Sequence, residues 1–187
     1  MAAIRICCCI LMKIQIFEGA SMTDAFKEIR DAQDKDLPQM VEVFNEVIKE
    51  GVAFPWEESL TLETGKVFFF SQDACRVAVS YDDKILAVAI VHPNAIGRSG
   101  HIANGSYAVS SKCRGQHIGD KLVRDSLEVA KNLGYKIMQF NAVVASNIHA
   151  QHLYERIGFE KVGCVEGGFR NIDGDFEDMF VYVYNLL

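Results

Sequence analysis

Residues 109–122, VSSKCRGQHIGDKL, decide the fold of this chain. A run of strand-forming residues ends at Val109, a short basic turn follows, and a helical apolar pattern begins near Gln116 with glycines in its opening turn. The first N–H groups of a helix are unpaired and lie at the positive end of the helix dipole, so such a turn favours a bound phosphate or pyrophosphate. The same pattern also fits a plain tight connection between a strand and a helix.

The turn belongs to neither of the two common phosphate-binding loops. A P-loop needs G-x-x-x-x-G-K-[ST], and a dinucleotide-binding fold needs G-x-G-x-x-G followed by an acidic residue. Neither pattern occurs in residues 109–122. If the turn binds an anion, it does so by a third arrangement, in which glycine lets the ligand approach the backbone closely.

Strand-like and helix-like segments alternate on both sides of this unit. The apolar runs predict strands over residues 26–30, 76–80, 85–91, 101–109, 136–144, 159–165 and 180–186. Apolar residues three and four apart predict helices over residues 61–71, 116–133 and 148–157, and a further helix between an N-cap at Asp36 and a stop at Gly51. This order predicts one α/β domain with a mixed sheet covered by helices.

Composition argues against several classes of protein. The chain has 187 residues, with 19 Lys+Arg against 25 Asp+Glu and a net charge of -6, whereas nucleic-acid-binding proteins usually carry a basic surface. No run of about 18 apolar residues is present, which argues against a membrane span. The six cysteines form no C-x-x-C pair, so the sequence predicts neither a zinc site nor a disulfide framework. Reduced thiols favour a cytoplasmic location.

Residues 1–22 are set apart as an N-terminal extension. An apolar stretch at residues 4–12 ends at Lys13, and no clear small-residue cleavage site follows, so a signal peptide is only the alternative interpretation. Met12 and Met22 both precede the organised part of the chain, which begins at about Phe26, and this favours a start codon assigned too early. The expected single domain therefore covers residues 23–187.

Two motifs resemble the signatures of the GNAT acetyltransferases. The segment from Arg114 to Gly119 is similar to R/Q-x-x-G-x-G/A, which binds the pyrophosphate of acetyl-CoA in that family, with His117 standing where glycine is usual. Residues 147–159, NIHAQHLYERIGF, resemble N-x-x-A-x-x-L-Y-x-x-x-G-F. The order of elements from Phe26 onward also fits. The resemblance implies the GNAT fold: a mixed, mostly antiparallel sheet of six or seven strands flanked by helices, with central parallel strands that splay apart.

The resemblance also implies how the cofactor is held. Free backbone groups of the strand before the turn bind the pantetheine arm and the thioester, and a backbone N–H aimed at the thioester oxygen stabilises the developing oxyanion. Acetyl-CoA is the expected co-substrate. No metal is expected, because His149 and His152, three apart on one helix, lack a third ligand. The implied cofactor-binding residues are Tyr107, Ala108, Val109, Arg114, Gly115, Gln116, His117, Ile118, Gly119, Asp120 and Asn147.

Tyr154 lies where the family places a tyrosine that protonates the departing CoA thiolate. A phenol can donate a proton to a thiolate of comparable basicity, and core packing is the alternative role. The base is less defined. Family members that acetylate protein N-termini carry a glutamate five positions before the asparagine of the second motif, where this chain has Ala142. A water chain, or an amine that arrives neutral, stays open.

Three residues are expected on the acceptor side of the cleft. Asn104 and Asn141 are amides in predicted strands, which is unusual unless they face a site. Their spacing with Asn147 is similar to that of a yeast branch of the family that acetylates proline analogues such as azetidine-2-carboxylate. Trp56 follows the first helix, where this family commonly builds the acceptor pocket. A solvent-facing amide and plain core packing are the respective alternatives.

The sequence therefore predicts an acetyl-CoA-dependent N-acetyltransferase for a small-molecule amine, such as an amino acid or an analogue, with direct attack in a ternary complex. Two alternatives stay open: acetylation of a protein lysine or N-terminus, and a non-catalytic acyl-CoA-binding module. No nucleic-acid or membrane partner is expected. The last predicted strand, at residues 180–186, would allow pairing across a homodimer.

Overall fold

The computed structural model describes residues 25–187, so the predicted extension at residues 1–22 and the domain start at residue 23 lie outside the described residues. The strands are β1 (Phe26–Asp31), β2 (Ala74–Ser80), β3 (Ile85–Pro93), β4 (Ile102–Val109), β5 (Ile137–Val144), β6 (Glu160–Arg170) and β7 (Phe176–Asn185). The α-helices are α1 (Leu37–Glu50), α2 (Leu62–Phe70), α3 (Ile118–Asn132) and α4 (Ile148–Ile157). Within the described range, no helix is long and apolar enough to cross a membrane.

The strands form one seven-stranded sheet in the order β1-β2-β3-β4-β5-β7-β6. Among the described strands, β4 and β5 are the one parallel pair, and the other neighbours are antiparallel. The parallel strands β4 and β5 pair only at their starts, where Ile102 is opposite Ile137 and Ala103 is opposite Met138. Beyond these pairs they diverge, although β4 continues to Val109. The predicted mixed sheet with splayed parallel strands is therefore confirmed, and the splay opens a gap in the middle of the sheet.

The apolar faces of the helices determine which side of the sheet each helix covers. On α1, Met40 and Phe44 are buried four residues apart, and they pack in one cluster with Ala108 of β4. On α3, Val123 is buried in a second cluster with Met138 of β5. Full burial of such side chains stabilises the fold by roughly 1.5–3 kcal/mol each. The gap between β4 and β5 therefore has α1 on one side and α3 and α4 on the other.

Asp36 directly precedes α1 but does not cap it with its side chain. Its carboxylate instead accepts hydrogen bonds from the guanidinium of Arg30 at 2.7 and 3.0 Å and from the backbone N–H of Gln33 at 2.8 Å. Asp36 therefore occupies the N-cap position as predicted, but its carboxylate ties β1 to the start of α1 instead of capping the helix. Gly51 ends α1 as predicted, in the left-handed conformation with φ 63.

The C-terminal hairpin differs most from the prediction, which ended one strand at residue 165 and began the next at 180. β6 extends to Arg170 and β7 starts at Phe176. Nearly every residue of β6 is exposed, so no alternating apolar pattern marks the strand in the sequence. β7 lies between β5 and β6 and is paired on both edges. The expectation that the last strand pairs across a homodimer is therefore wrong, because the sheet edges are β1 and β6.

Candidate active site

A cleft of about 720 Å³ opens where β4 and β5 diverge. This volume falls within the range of small-molecule and cofactor sites. The α1–α2 connection, the C-terminal parts of β4 and β5, and the first turns of α3 and α4 line it. Nine residues predicted from the sequence line this cleft: Trp56, Asn104, Tyr107, Val109, Arg114, Gly119, Asn141, Asn147 and Tyr154. Six do not line it: Ala108, Gly115, Gln116, His117, Ile118 and Asp120.

The backbone of β4 has free hydrogen-bonding groups along the gap. Ser110 N–H donates to the carbonyl of Leu86 in β3 at 2.9 Å, and successive residues of a strand direct their backbone groups to alternate sides. The backbone groups of Tyr107 and Val109 therefore point away from β3 and toward the gap, where β5 no longer pairs with them. Ala108 differs, because its backbone faces β3 and its side chain is fully buried.

The turn before α3 has two residues in the left-handed conformation. Gly115 has φ 79 and His117 has φ 59. A positive φ costs a residue with a Cβ roughly 1–2 kcal/mol, which is the physical reason for glycine at the position of His117 in the family motif. Histidine is among the residues that tolerate this region better than most. The helix consequently begins at Ile118, two residues later than the predicted Gln116.

Two carboxylates of α1 hold this turn. Glu46 accepts hydrogen bonds from the backbone N–H of Ser111 at 2.9 Å and from the Ser110 hydroxyl at 3.3 Å. Glu50 accepts two bonds from Nη2 of Arg114, at 2.6 and 2.8 Å. The predicted pyrophosphate-binding arginine thus lines the cleft and is already paired with a carboxylate.

Ile118 and Asp120 lie in the first turn of α3 and direct their side chains away from the cleft. Ile118 is 1% exposed and packs in the core. Burial acts to raise the pKa of the Asp120 carboxyl, but hydrogen bonds from Arg124 and Arg156 outweigh it, so the pKa lies below its ordinary value. These two residues have only backbone groups to offer a ligand at the start of the helix.

Tyr154 lies on α4 with its ring against aromatic side chains of the core. The ring centroid is 4.6 Å from that of Phe140 and 5.6 Å from that of Phe159. Burial raises the pKa of the Tyr154 phenol well above its ordinary value. The phenol therefore keeps its proton throughout the neutral range, as a proton donor at the cleft must.

Tyr107 contributes a side chain that was not predicted to matter. Its hydroxyl is buried and makes no hydrogen bond to any of residues 25–187. A Cβ at Gly105 would lie 3.0 Å from this hydroxyl oxygen, so the glycine makes room for it. A buried hydroxyl without a partner costs about 1–3 kcal/mol. Tyr107 and Tyr154 both line the cleft.

The three predicted asparagines all line the cleft and differ in their partners. The Asn147 side chain accepts from the N–H of Ala150 at 3.2 Å and caps α4. The Asn104 oxygen accepts from the N–H of Gly105 at 2.7 Å. Asn141 accepts a hydrogen bond from the side chain of Gln139 and donates one to the side chain of Asn94. Amides therefore dominate the polar surface at this end of the cleft.

Trp56 lines the cleft and also packs in an aromatic cluster. Its ring lies 5.6 Å from Phe44, 5.3 Å from Phe54 and 5.4 Å from Phe68, measured between centroids. The side chain is still 37% exposed. Trp56 therefore packs against the aromatic core and also borders the cleft.

His92 was not predicted as a site residue, yet it lines the cleft on β3 directly opposite Asn104. Only the register of β3 with β4 brings these residues together, and register is not visible in a sequence without a turn that defines it. His149 also lines the cleft, whereas His152 does not. Within residues 25–187, no group of three or more potential ligand side chains is placed to hold a metal ion.

Known proteins are similar to this chain in sequence or in fold. The N-acetyltransferase aca1 of Schizosaccharomyces pombe is 27% identical over 167 residues, covering 80% of this chain and 79% of aca1. A GCN5-related N-acetyltransferase from Kribbella flavida has a TM-score of 0.79 at 29% identity, over 84% of this chain and 96% of its own. The phosphinothricin acetyltransferase Pat of Sinorhizobium meliloti, in complex with AcCoA, has a TM-score of 0.79 at 20% identity, over 84% and 87%.

The family model of the acetyltransferase (GNAT) family matches residues 32–159, which include the splayed strands, the turn before α3 and all of α4. This match covers more than half of the chain and contains both motifs recognised in the sequence. The chain therefore belongs to the GNAT acetyltransferase family and is an N-acetyltransferase.

Proposed function

We propose that this protein transfers the acetyl group of acetyl-CoA to the amine of a small molecule, such as an amino acid or an analogue, by direct attack in a ternary complex. The observation that carries the proposal is that one cleft contains the free backbone of β4, the phenol of Tyr154 and the amides of Asn104 and Asn141. These groups supply an oxyanion site, a proton donor and polar contacts for an acceptor.

The cofactor half of the cleft fits acetyl-CoA. The start of α3 offers unpaired N–H groups to a pyrophosphate, Gly119 keeps the approach open, and Arg114 supplies a positive charge. Asn147 lies at the start of α4 on the same wall. The structural neighbour from Sinorhizobium meliloti was solved with AcCoA bound. We therefore assign cofactor-binding roles to Arg114, Gly119 and Asn147.

The chemistry needs positioning more than covalent catalysis. A thioester held along β4 would direct its carbonyl oxygen at the N–H of Tyr107 or Val109, and such a donor stabilises the developing negative charge. The acceptor nitrogen forms a bond to the carbonyl carbon, the carbon–sulfur bond breaks, and the thiolate takes a proton from Tyr154. Holding both reactants in one cleft supplies much of the acceleration.

The position of the β6–β7 hairpin favours a small acceptor over an extended peptide. β7 pairs with β5, and the hairpin reaches to the α1–α2 connection, where Arg170 donates to Glu57 at 2.5 Å. Ile172 lies close to Gly51: a Cβ added at Gly51 would be 2.8 Å from the Cβ of Ile172. The hairpin thus contacts the α1–α2 connection beside the cleft, at Gly51 and at Glu57, which favours a small acceptor over an extended peptide.

The test is thiol release from acetyl-CoA across a panel of acceptors. The panel contains amino acids, azetidine-2-carboxylate, phosphinothricin, peptides with free N-termini and lysine-rich peptides. Thermal unfolding with acetyl-CoA is measured first, because a ligand at 100 times its dissociation constant stabilises the fold by about 2.7 kcal/mol. Turnover on a small amine supports the proposal. Turnover on peptides alone indicates a protein acetyltransferase, and binding without any turnover indicates an acyl-CoA-binding module.

A cytoplasmic location rests on the cysteine pattern alone and stays a prediction.

A further inference from the structure

The cleft contains no carboxylate that is placed to deprotonate an acceptor amine. Of the acidic residues in the described part of the chain, only Glu50 lines it, and that carboxylate is bound by Arg114. Ala142, which also lines the cleft, has no ionisable group. An aliphatic amine is mostly protonated at neutral pH and cannot attack a thioester in that form. A base other than a carboxylate is therefore needed, and the histidines of the cleft are His92 and His149.

His92 is held in the tautomer that a base requires. Its Nδ1 lies 3.0 Å from the carbonyl oxygen of Pro93. A carbonyl oxygen only accepts, so Nδ1 carries the proton in this contact, and in the neutral ring Nε2 keeps its lone pair. The same contact fixes the orientation of the ring. His149, by contrast, is exposed, and no hydrogen bond within residues 25–187 orients its ring.

The position of His92 in the sheet places it on the acceptor side. It pairs directly with Asn104 of β4, and opposite residues of an antiparallel pair direct their side chains to the same face. Both side chains line the cleft. Asn104 precedes Tyr107 by three residues, about 10 Å along an extended strand. An acceptor between the amides and the thioester would therefore reach Nε2 through an ordered water.

We infer that His92 is the general base of the acetyl transfer, which rests on the proposed function of the cleft. The protonated amine gives one proton, through water, to Nε2, and the imidazolium later releases it to solvent. The neutral nitrogen then bonds to the acetyl carbon, the carbon–sulfur bond breaks and the thiolate takes the Tyr154 proton. The second proton leaves the nitrogen as the amide forms and restores Tyr154 through solvent. The products are one N-acetyl amide, one CoA thiol and one proton.

The test compares two acceptors that differ in basicity. One is a small aliphatic amine that is protonated at the assay pH, and the other is a small aromatic amine that is already neutral. His92→Gln keeps a polar group but cannot accept the proton. Its kcat/KM should fall by about 10²-fold for the aliphatic amine, within the usual range for general bases. For the neutral amine the loss should be less than about 3-fold, because no base is needed.

His92→Asn is a second variant that lacks the base and should show the same split. His152→Gln is the matched control, since His152 is exposed and outside the cleft, and it should leave both values unchanged. Thermal unfolding with acetyl-CoA verifies that each variant is folded and binds the cofactor. Equal losses for the two amines, or no loss for either, overturn the assignment of His92. A wild type that acetylates no amine overturns the proposed function as well.

Discussion

Arg114 in the turn before α3 is paired with Glu50 at the end of α1, through two contacts of 2.6 and 2.8 Å from one guanidinium nitrogen. The pair joins two elements that border the cleft, and both side chains are partly exposed. An anionic cofactor that uses Arg114 must therefore compete with the carboxylate of Glu50. The partial exposure makes this competition weak enough for a phosphate to succeed.

Glu50→Gln should tighten acetyl-CoA binding by about 3- to 10-fold, because it removes a competitor of the phosphates and a nearby negative charge. Calorimetric titration measures the dissociation constant, and the gain should shrink as salt is added. Glu128→Gln makes the same charge change at an exposed site on α3, away from the cleft, and should have little effect. Weaker binding by Glu50→Gln would show that the carboxylate supports the turn rather than competing.

Tyr154→Phe should lower kcat by about 10²-fold while the dissociation constant of acetyl-CoA changes little, since the ring packing against Phe140 is kept. Burial raises the pKa of the Tyr154 phenol, so the protonated form should persist above the pH at which an exposed tyrosine ionises. Deprotonation of Tyr154 should accordingly cause no loss of activity up to about pH 9. Tyr81→Phe, at an exposed site, is the control. Wild-type kcat in Tyr154→Phe would remove the tyrosine from the mechanism.

His117→Gly should raise the free energy of unfolding by up to about 1 kcal/mol, because glycine adopts φ 59 without a Cβ penalty but has more freedom when unfolded. Denaturant unfolding measures the change. Asp83 has the same φ of 59 in the turn between β2 and β3, far from the motif, so Asp83→Gly is a matched control for backbone strain. A loss of stability in His117→Gly alone would mean that the imidazole makes a stabilising contact.

Gly119→Leu should raise the dissociation constant of acetyl-CoA at least 10-fold. A Cβ at this position would lie 3.7 Å from side-chain carbons of both Leu153 and Val109, which is ordinary contact, so Gly119→Ala should fold and bind with a smaller loss. The larger side chain would extend into the cleft that Gly119 lines. Equal affinity in wild type and Gly119→Leu would exclude this end of the cleft as the cofactor site.

Asp36→Asn should destabilise the fold by about 3 kcal/mol, because the carboxylate is nearly buried and its loss leaves Arg30 without its charge partner. Burial acts to raise the pKa of Asp36, but the hydrogen bonds from Arg30 and Gln33 outweigh it and the pKa is lowered in the fold. The contribution of the Asp36 carboxylate to the free energy of unfolding is therefore complete above the pKa of the unfolded chain, near 3.8. It is lost as the pH falls through the lower pKa of the folded state. Denaturant unfolding at pH 7 and pH 3 measures the free energy of unfolding, and the difference between wild type and Asp36→Asn should be smaller at pH 3.

The local structure of the turn before α3 and of the start of α4 could be predicted from the sequence because its determinants are local. The turn from Arg114 to Gly119 and the cap at Asn147 depend on residues within one helical turn of each other, and the boundaries of α4 match the prediction. The cleft wall formed by β3 and β4, and the C-terminal hairpin, depend on pairing between strands that the sequence alone does not define. His92 and Asn104 are opposite only through the register of β3 with β4, and the end of β6 at Arg170 has no periodic pattern to mark it.

Backbone direction sets a second limit on prediction. Tyr107, Ala108 and Val109 were expected to act alike, yet strand alternation directs the backbone of Ala108 to β3 and leaves the other two facing the gap. The burial of the Tyr107 hydroxyl could not be predicted for a similar reason, because it depends on Gly105 and on the packing of α3 over the sheet. Such three-dimensional relations follow from pairing and packing, not from residue spacing.

The place of β7 inside the sheet has a consequence for how the protein folds. β1 to β4 pair in sequence order, so this half can form as soon as its residues are available, whereas β5 gains its second neighbour only from the last strand described. The wall that carries Asn141 and leads into α4 therefore depends on contacts between segments far apart in the chain, which form late. We expect hydrogen exchange during refolding to protect β2 and β3 before β5, so that the cleft between β4 and β5 forms after the N-terminal half of the sheet.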